Sequence, residues 1–498
     1  MMVDYSKSKW LDLSSKLTFK NQAFIDGKFV NSISEETFDC INPSNGKTLT
    51  KVASCNEIDV DNAVKSGRKA FDKGYWSSMS PSDRKKILIK LSDLISENLE
   101  ELALLDSMDM GKTVSDAITY DVPGAADLLR WNAEAVDKIM DEIAPTEKNN
   151  LAMIRRVPLG VIGAVVPWNY PLDMAMWKCA PALASGNSVV LKPAEQSPLS
   201  ALKFAELAIE AGIPEGVLNV VPGYGETAGR AIGLHHDIDC VSFTGSTDVG
   251  KLFFEYSGQS NMKLIWTECG GKSPNIIFDK SKKLDTAAQM AANGGFFNQG
   301  EVCSANSRIL VHENIIQEFS ELLVKEAKNW STGDPFDPKS NIGCLVSEEH
   351  STKVKEFINK AKNETELVFE GEIETEVSNV GTFVPPTIFR DNTGFKEIST
   401  DEVFGPVLSL IPFKTEEEAL KIAHDSKYAL AASIWTDDIS QAHRVSDKLH
   451  AGTVSVNTVD AFSPMTPFGG FKQSGTGNDL SLHAFDKYTG LKTVWIKY

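Results

Sequence analysis

Residues 293–308 read NGGFFNQGEVCSANSR, and the thiol in that stretch, Cys303, is the side chain best placed by sequence for covalent chemistry. Two glycines and two phenylalanines lead into a turn at 298–300, and no charge separates Cys303 from Arg308. Free cysteines are commonly small buried hydrophobes, and reactivity needs a thiolate that sequence does not display. Small neighbours after a glycine turn still leave this thiol open to a substrate, whereas a structural cysteine more often sits inside an alternating apolar run. No histidine adjoins it, so a protease-like Cys–His pair is not supported.

Other stretches carry groups that such a nucleophile would use. Asn169 in PWNYP (167–171) has a side-chain amide able to donate to a developing oxyanion, worth about 3 kcal/mol in a transition state. Glu268 in TECGGKSP (267–274) precedes two glycines, and a carboxylate in a tight, partly apolar turn can titrate high and act as a base toward water. Glu402 stands near an aromatic in EVFGP (402–406). In LKPAE (191–195), Lys192 ends a predicted strand and points into the crevice where doubly wound sheets bind ligands. Glu195, three residues on, can accept from both hydroxyls of a ribose and would repel a 2′-phosphate. No GxGxxG follows any predicted strand; the glycine turns available to a phosphate are GYGETAG (223–229) and GSTDVG (245–250). The second follows the run VSFT and feeds a helix N-terminus, whose unpaired N–H groups suit phosphate. Taken singly, each of these also reads as a plain tight turn or an exposed ion pair.

The elements that must hold these groups alternate. Residues 1–55 read as an arm of short strands and turns, with a DG hairpin signal at 24–30. Apolar residues at 87, 88, 91, 94, 95, 99 and 102 form a helical stripe across 82–105, opened by Ser80-Pro81, and a second helical segment covers 123–140. From 160 onward, strands at 161–166, 188–191, 218–221 and 240–243 alternate with helices at 172–184, 198–211 and 225–233, the rhythm of an open, mostly parallel sheet. A second alternating series fills 271–475, with strands at 275–278, 307–311, 408–412, 433–436 and 452–457. Residues 141–160 read either as a strand that leaves the body to pair with another subunit or as a surface hairpin. The tail, 487–498, alternates like an exposed strand seeking a partner edge.

Composition narrows the partners. A chain of 498 residues exceeds one core, so two or three domains are expected. The charge of −18, from 50 basic and 68 acidic residues, disfavours nucleic acid and anionic membranes. Seven cysteines without a CxxC pair and eight histidines without HExxH argue for a reducing compartment, no disulfide framework and no metal site. The opening MMVDYSKSKW lacks a signal peptide's apolar core, Asp4 argues against a transit peptide, and the longest apolar stretch, 157–168, holds two prolines. A cytoplasmic protein is expected.

In order along the chain, PWNYP, LKPAE, FTGSTDVG, TECGGKSP, FFNQGEVCSA, EVFGP and PFGGFKQSG (467–475) resemble the motif set of the NAD(P)-dependent aldehyde dehydrogenase superfamily, from about residue 20 to the end. DVPGAADLLRW (121–131), SNMK (260–263) and SLHAFDKYTGLKTVWI (481–496) are most similar to the gamma-glutamyl-gamma-aminobutyraldehyde dehydrogenases. The resemblance implies an α/β fold. A Rossmann-like NAD-binding domain would span 1–140 and 160–270, an α/β catalytic domain 271–475, and a small β oligomerisation element 141–159 and 476–498, giving a homodimer or homotetramer. It also implies roles. Cys303 is the nucleophile, Asn169 and the Cys303 N–H form the oxyanion hole, and Glu268 activates water. Lys192 and Glu195 hold the adenosine ribose, Gly245, Ser246 and Gly250 belong to the pyrophosphate turn, Glu402 and Phe404 position the nicotinamide ribose, and Trp168 and Gly225 lie along the cofactor. NAD is expected over NADP. Glu268 argues against a CoA-acylating relative, which needs no water-activating base, and retention of Cys303, Glu268 and Asn169 together argues against a catalytically silent one.

Tyr170, Asp173, Met174 and Trp177 fall at i, i+3, i+4 and i+7 and so share a helix face. By resemblance that face lines a substrate tunnel with Phe297, Phe462 and Phe468, and Asp121 projects nearby. An aromatic tube with carboxylates suits an aldehyde with a distant cationic end, by charge pairing and cation–π contact; a solvated Asp173 with plain aliphatic, broad-range or betaine aldehyde substrates is the alternative. Two departures stand out. Cys269 adjoins the base and reads as packing. Glu301, two residues before the nucleophile, either raises the thiol pKa or contacts a cationic substrate from the tunnel wall.

Overall fold

The computed structural model describes residues 6–377 and 380–498; Asp4, used in the transit-peptide argument, lies outside them. An eight-stranded sheet runs Lys28–Val30, Ala23–Ile25, Leu218–Val220, Ser188–Lys192, Val161–Val165, Cys240–Thr244, Leu264–Glu268 and Gly475–Thr476. Its middle five strands are parallel. Valine- and isoleucine-rich runs such as Val161–Val165, every residue of which is buried, are what a sheet covered on both faces requires. Chain order across those five strands reverses between Val161–Val165 and Cys240–Thr244, which makes their carboxyl ends a topological switch point.

The second sheet has seven strands: Glu366–Glu370, Thr387–Arg390, Val407–Phe413, Arg308–His312, Pro274–Ile277, Ala431–Trp435 and Thr453–Val456, all parallel except the first. The segments leading into three of its strands hold Cys269, Cys303 and Glu402. The two sheets therefore meet with the carboxyl ends of one facing amino ends of the other.

Several expectations change. The arm begins with a helix, Lys7–Ser14, and its hairpin, Ala23–Ile25 with Lys28–Val30, joins the eight-stranded sheet beside Leu218–Val220. The stripe across 82–105 is two helices, Pro81–Glu97 and Leu99–Met110. They break at Asn98, whose side-chain amide donates to the Leu94 carbonyl at 2.8 Å. The segment 225–233 is a widened π-type turn, Gly225–Gly229, followed by Arg230–Leu234. The tail finds its partner within the chain: Thr489–Lys497 pairs antiparallel with Asn150–Pro158 over nine residues, and Glu142–Ala144 completes a three-stranded sheet. Residues 476–488 are not in that sheet. Gly475–Thr476 pairs with Leu264–Glu268, and Phe485 and Tyr488 are buried in the core around the first sheet. No helix among the described residues is long and apolar enough to cross a membrane.

Candidate active site

A cavity of about 620 Å³ opens at the switch point. Trp168 and Asn169 enter it just beyond Val161–Val165, and Gly245 and Ser246 just beyond Cys240–Thr244. Cys303, Glu268, Glu402 and Phe404 line it too, as do Asp121, Tyr170, Asp173, Met174, Trp177, Phe297, Phe462 and Phe468. Gly225, Gly250, Lys192, Glu195 and Glu301 do not; Glu195 borders a neighbouring cavity of about 410 Å³ with Tyr224.

Cys303 is half-buried, while the other six cysteines are buried and none is paired. Three successive left-handed residues, Asn298, Gln299 and Gly300 (φ 49°, 57° and 70°), fold the loop that carries it. At Gly300 a Cβ would stand 2.2 Å from the Gly405 carbonyl oxygen, and at Gly271 one would stand 2.4 Å from the Cys303 carbonyl oxygen. The loop is therefore clamped between two glycines, and only glycine fits either place.

Glu268 ends its strand rather than sitting in a turn. It is buried, neither carboxylate oxygen has a hydrogen-bond partner among the described residues, and burial pushes its pKa up to about 7. The Cys303 thiol is also driven up, first by burial and then by the Glu268, Asp460 and Glu402 carboxylates. The buried Asn169 amide donates to the Glu301 carbonyl at 2.9 Å, which fixes its plane and leaves its second N–H for another acceptor.

The donor set fits a dinucleotide. Ser246 caps the helix Thr247–Gln259, accepting from the Val249 N–H at 3.3 Å, and the first-turn N–H groups suit a pyrophosphate. The buried Thr244 hydroxyl beside it is unpartnered. Gly225 is exposed, and beyond its chain neighbours no described atom lies within 4 Å of where its Cβ would stand. Gly250 is packed instead, with Cys269 Sγ 2.9 Å from its would-be Cβ, so Cys269 fills a gap behind the turn. Lys192 Nζ holds Glu195 at 3.0 Å. Glu402 accepts from the Gly271 N–H at 3.0 Å, with burial pushing its pKa up to about 7.

In the tunnel, the Trp177 indole donates to Asp173 at 3.0 Å, and burial together with Asp121 pushes Asp173 up to about 7. Asp121 is ion-paired with the fully buried Lys112, whose ammonium lies 4.0 Å from the Tyr170 ring centroid. Trp177, Phe462 and Phe468 pack edge to face. Glu301 corrects the tunnel expectation: its carboxylate turns behind the loop, accepting from the Val346 N–H at 3.2 Å. Asp460, His350 and Lys353 line the cavity although no motif contains them, and Asp127 lines it from within DVPGAADLLRW. His350 and Lys353 share a face at i, i+3 after the Ser347 cap, a signal that becomes legible only once the helix Glu348–Glu364 is placed.

Residues 29–494 match the Aldehyde dehydrogenase family, and the chain belongs to it. It is 47% identical over 487 residues to the NADP/NAD-dependent aldehyde dehydrogenase PuuC of Escherichia coli, covering 98% of each chain. Among solved structures, it matches the P. syringae indole-3-acetaldehyde dehydrogenase AldA, in complex with NAD+ and IAA, at 49% identity and a TM-score of 0.97, covering 99% of this chain and 100% of that one. It matches the gamma-glutamyl-gamma-aminobutyraldehyde dehydrogenase of Burkholderia cenocepacia at 47% identity and a TM-score of 0.97, covering 99% of each.

Proposed function

We propose that the aldehydes this NAD-dependent aldehyde dehydrogenase oxidises to acids are omega-amino or gamma-glutamylamino aldehydes of polyamine breakdown. The Cys303 thiol adds to the carbonyl carbon and passes its proton toward Glu268. The oxygen turns anionic beside the free Asn169 N–H and the Cys303 backbone N–H. NAD, when bound, accepts the hydride released on oxidation. The residues that would hold it are the Ser246 turn for the pyrophosphate, Lys192 and Glu195 for one ribose, and Glu402 with Phe404 for the other. Glu268 then takes a proton from the water that hydrolyses the Cys303 thioester. The domain roles follow the two sheets, the eight-stranded one serving the cofactor and the seven-stranded one carrying the nucleophile. The three-stranded sheet is the oligomerisation element of a dimer or tetramer, and seven unpaired thiols suit a cytoplasmic setting.

The observation that carries the substrate reading is acidic: Asp121, Asp127, Asp173 and Asp460 line one aromatic cavity, against Lys353 in its lining and the ammonium paired with Asp121. A carboxylate held near neutrality by burial ionises readily once a cation arrives. The aromatic lining alone favours a second reading, a neutral aromatic aldehyde like that named for the P. syringae relative. NADH formation on gamma-glutamylaminobutyraldehyde, 4-aminobutyraldehyde, betaine aldehyde, indole-3-acetaldehyde and a neutral aliphatic aldehyde separates the two. We expect a preference for charged substrates that Asp173→Asn reduces about tenfold, as loss of one partly buried charge pair would. Equal kcat/KM on the neutral aldehydes, unchanged in the mutant, refutes the amino-aldehyde reading.

A further inference from the structure

Phe404 carries an unusual backbone for a bulky residue, φ 56°. Its carbonyl lies 2.7 Å from His350 Nε2. A carbonyl only accepts, so Nε2 carries the proton and the tautomer of His350 is fixed. The His350 ring packs on Trp168 with centroids 5.1 Å apart, and Trp168 meets Phe404 edge to face at 5.2 Å, so the three rings form one wall of the cavity. Behind His350 stands Glu301, fully buried, with Oε1 3.6 Å from His350 Nε2. The groups that meet the Glu301 carboxylate are N–H donors: Val346 N at 3.2 Å, and Gln299 Nε2 at 3.5 Å. Gln299 cannot turn round to donate less, because its Oε1 accepts from the Gly343 N–H at 3.2 Å. The Glu301 backbone carbonyl, meanwhile, anchors the Asn169 amide.

We propose that His350 is a positioning residue, its Nε2–H holding the Phe404 carbonyl and with it the left-handed conformation of Phe404, so that the ring wall stands ready for the cofactor. The proposal rests on the NAD reading above. Burial holds His350 down to about 4, so it is neutral under working conditions and acts through hydrogen-bond direction rather than charge.

The test uses the full chain with His350→Ala and His350→Gln. It measures the NAD dissociation constant by calorimetry, KM for NAD against kcat, the iodoacetamide labelling rate of Cys303 without NAD, and the melting temperature. Losing the hydrogen bond to the Phe404 carbonyl is expected to weaken NAD binding and raise its KM about tenfold in His350→Ala. The kcat at saturating NAD and the Cys303 labelling rate should hold within about threefold, since the nucleophile loop keeps its own clamp. His350→Gln, whose amide can still donate to the Phe404 carbonyl, should recover most of the affinity. Wild-type affinity in His350→Ala, or a fall in melting temperature with NAD binding unchanged, overturns this role for His350. Failure of the wild-type chain itself to bind NAD overturns the cofactor reading, and this proposal with it.

Discussion

Two groups at the reacting centre compete for one proton. Burial raises both Cys303 and Glu268, but the thiol starts higher, so the resting proton stays on sulfur while Glu268 titrates near 7. A general base works only when ionised, so the hydrolytic rate should climb as pH rises through about 7 and level off above it. Glu268→Gln should remove that rising limb and cut steady-state turnover by about 10²- to 10⁴-fold, the usual worth of a positioned base. If its task is deacylation, rapid mixing still shows a first burst of NADH of one equivalent per site. Loss of the burst along with the steady state would make acceptance of the Cys303 proton, rather than activation of water, the step that depends most on Glu268. Asn169→Ala removes an oxyanion donor without touching either titrating group, so it should lower kcat by about 10²- to 10³-fold at every pH and leave the profile's shape alone.

At the scale of elements, what matters is how the nucleophile loop is wedged. Gly271 and Gly225 make a matched pair. A methyl at Gly271 collides with the Cys303 carbonyl oxygen, whereas a methyl at Gly225 meets nothing among the described residues beyond its chain neighbours. Gly271→Ala should therefore shift Cys303 and cost roughly 100-fold in kcat/KM, as displacements of about 1 Å do. Gly225→Ala should leave Cys303 labelling and melting unchanged and weaken NAD binding alone; unaltered NAD binding would remove Gly225 from the cofactor site. The motif around each glycine is plain in the sequence, but the reason for it is not, because the contacting atoms lie far along the chain. The same limit explains the misplaced Glu301. Its spacing from Cys303 is visible, yet the left-handed run at Asn298, Gln299 and Gly300 turns its side chain away from the tunnel. Periodicity likewise revealed the face shared by Tyr170, Asp173, Met174 and Trp177 and could not show the break at Asn98, since the apolar stripe continues across it. Strands buried on both faces were the most legible elements, because a run such as VIGAV has few other uses. Asp460 and His350, in segments without a distinctive pattern, needed the fold to bring them in.

For the whole molecule, the three-stranded sheet is the part least explained by a single chain. Thr489–Lys497 satisfies one of its edges on Asn150–Pro158, and the other edge has no partner within the sheet. Leu491 and Trp495 are 67% and 62% exposed on this strand, with Ile496 beside them and Ile143 73% exposed across the sheet. An open edge with large apolar side chains invites another copy, and monomeric proteins usually blunt such edges with charge or proline. If the sheet is the oligomerisation element, Leu491→Lys with Trp495→Lys should lower the mass measured by light scattering after size exclusion, while the melting of the main body changes little because neither side chain belongs to a core. The reverse result, an unchanged mass, would assign assembly to another surface and leave the tail as a strap that closes the chain on itself. Activity adds a second readout. The tail strand follows directly on Phe485 and Tyr488, which are buried in the core around the first sheet, and on Lys487, which with Lys178 pairs the buried Asp479 near Glu268. A dissociated variant that keeps its kcat shows that this anchoring holds within one chain; one that loses kcat with its mass shows that the neighbour's strand is needed to steady the base.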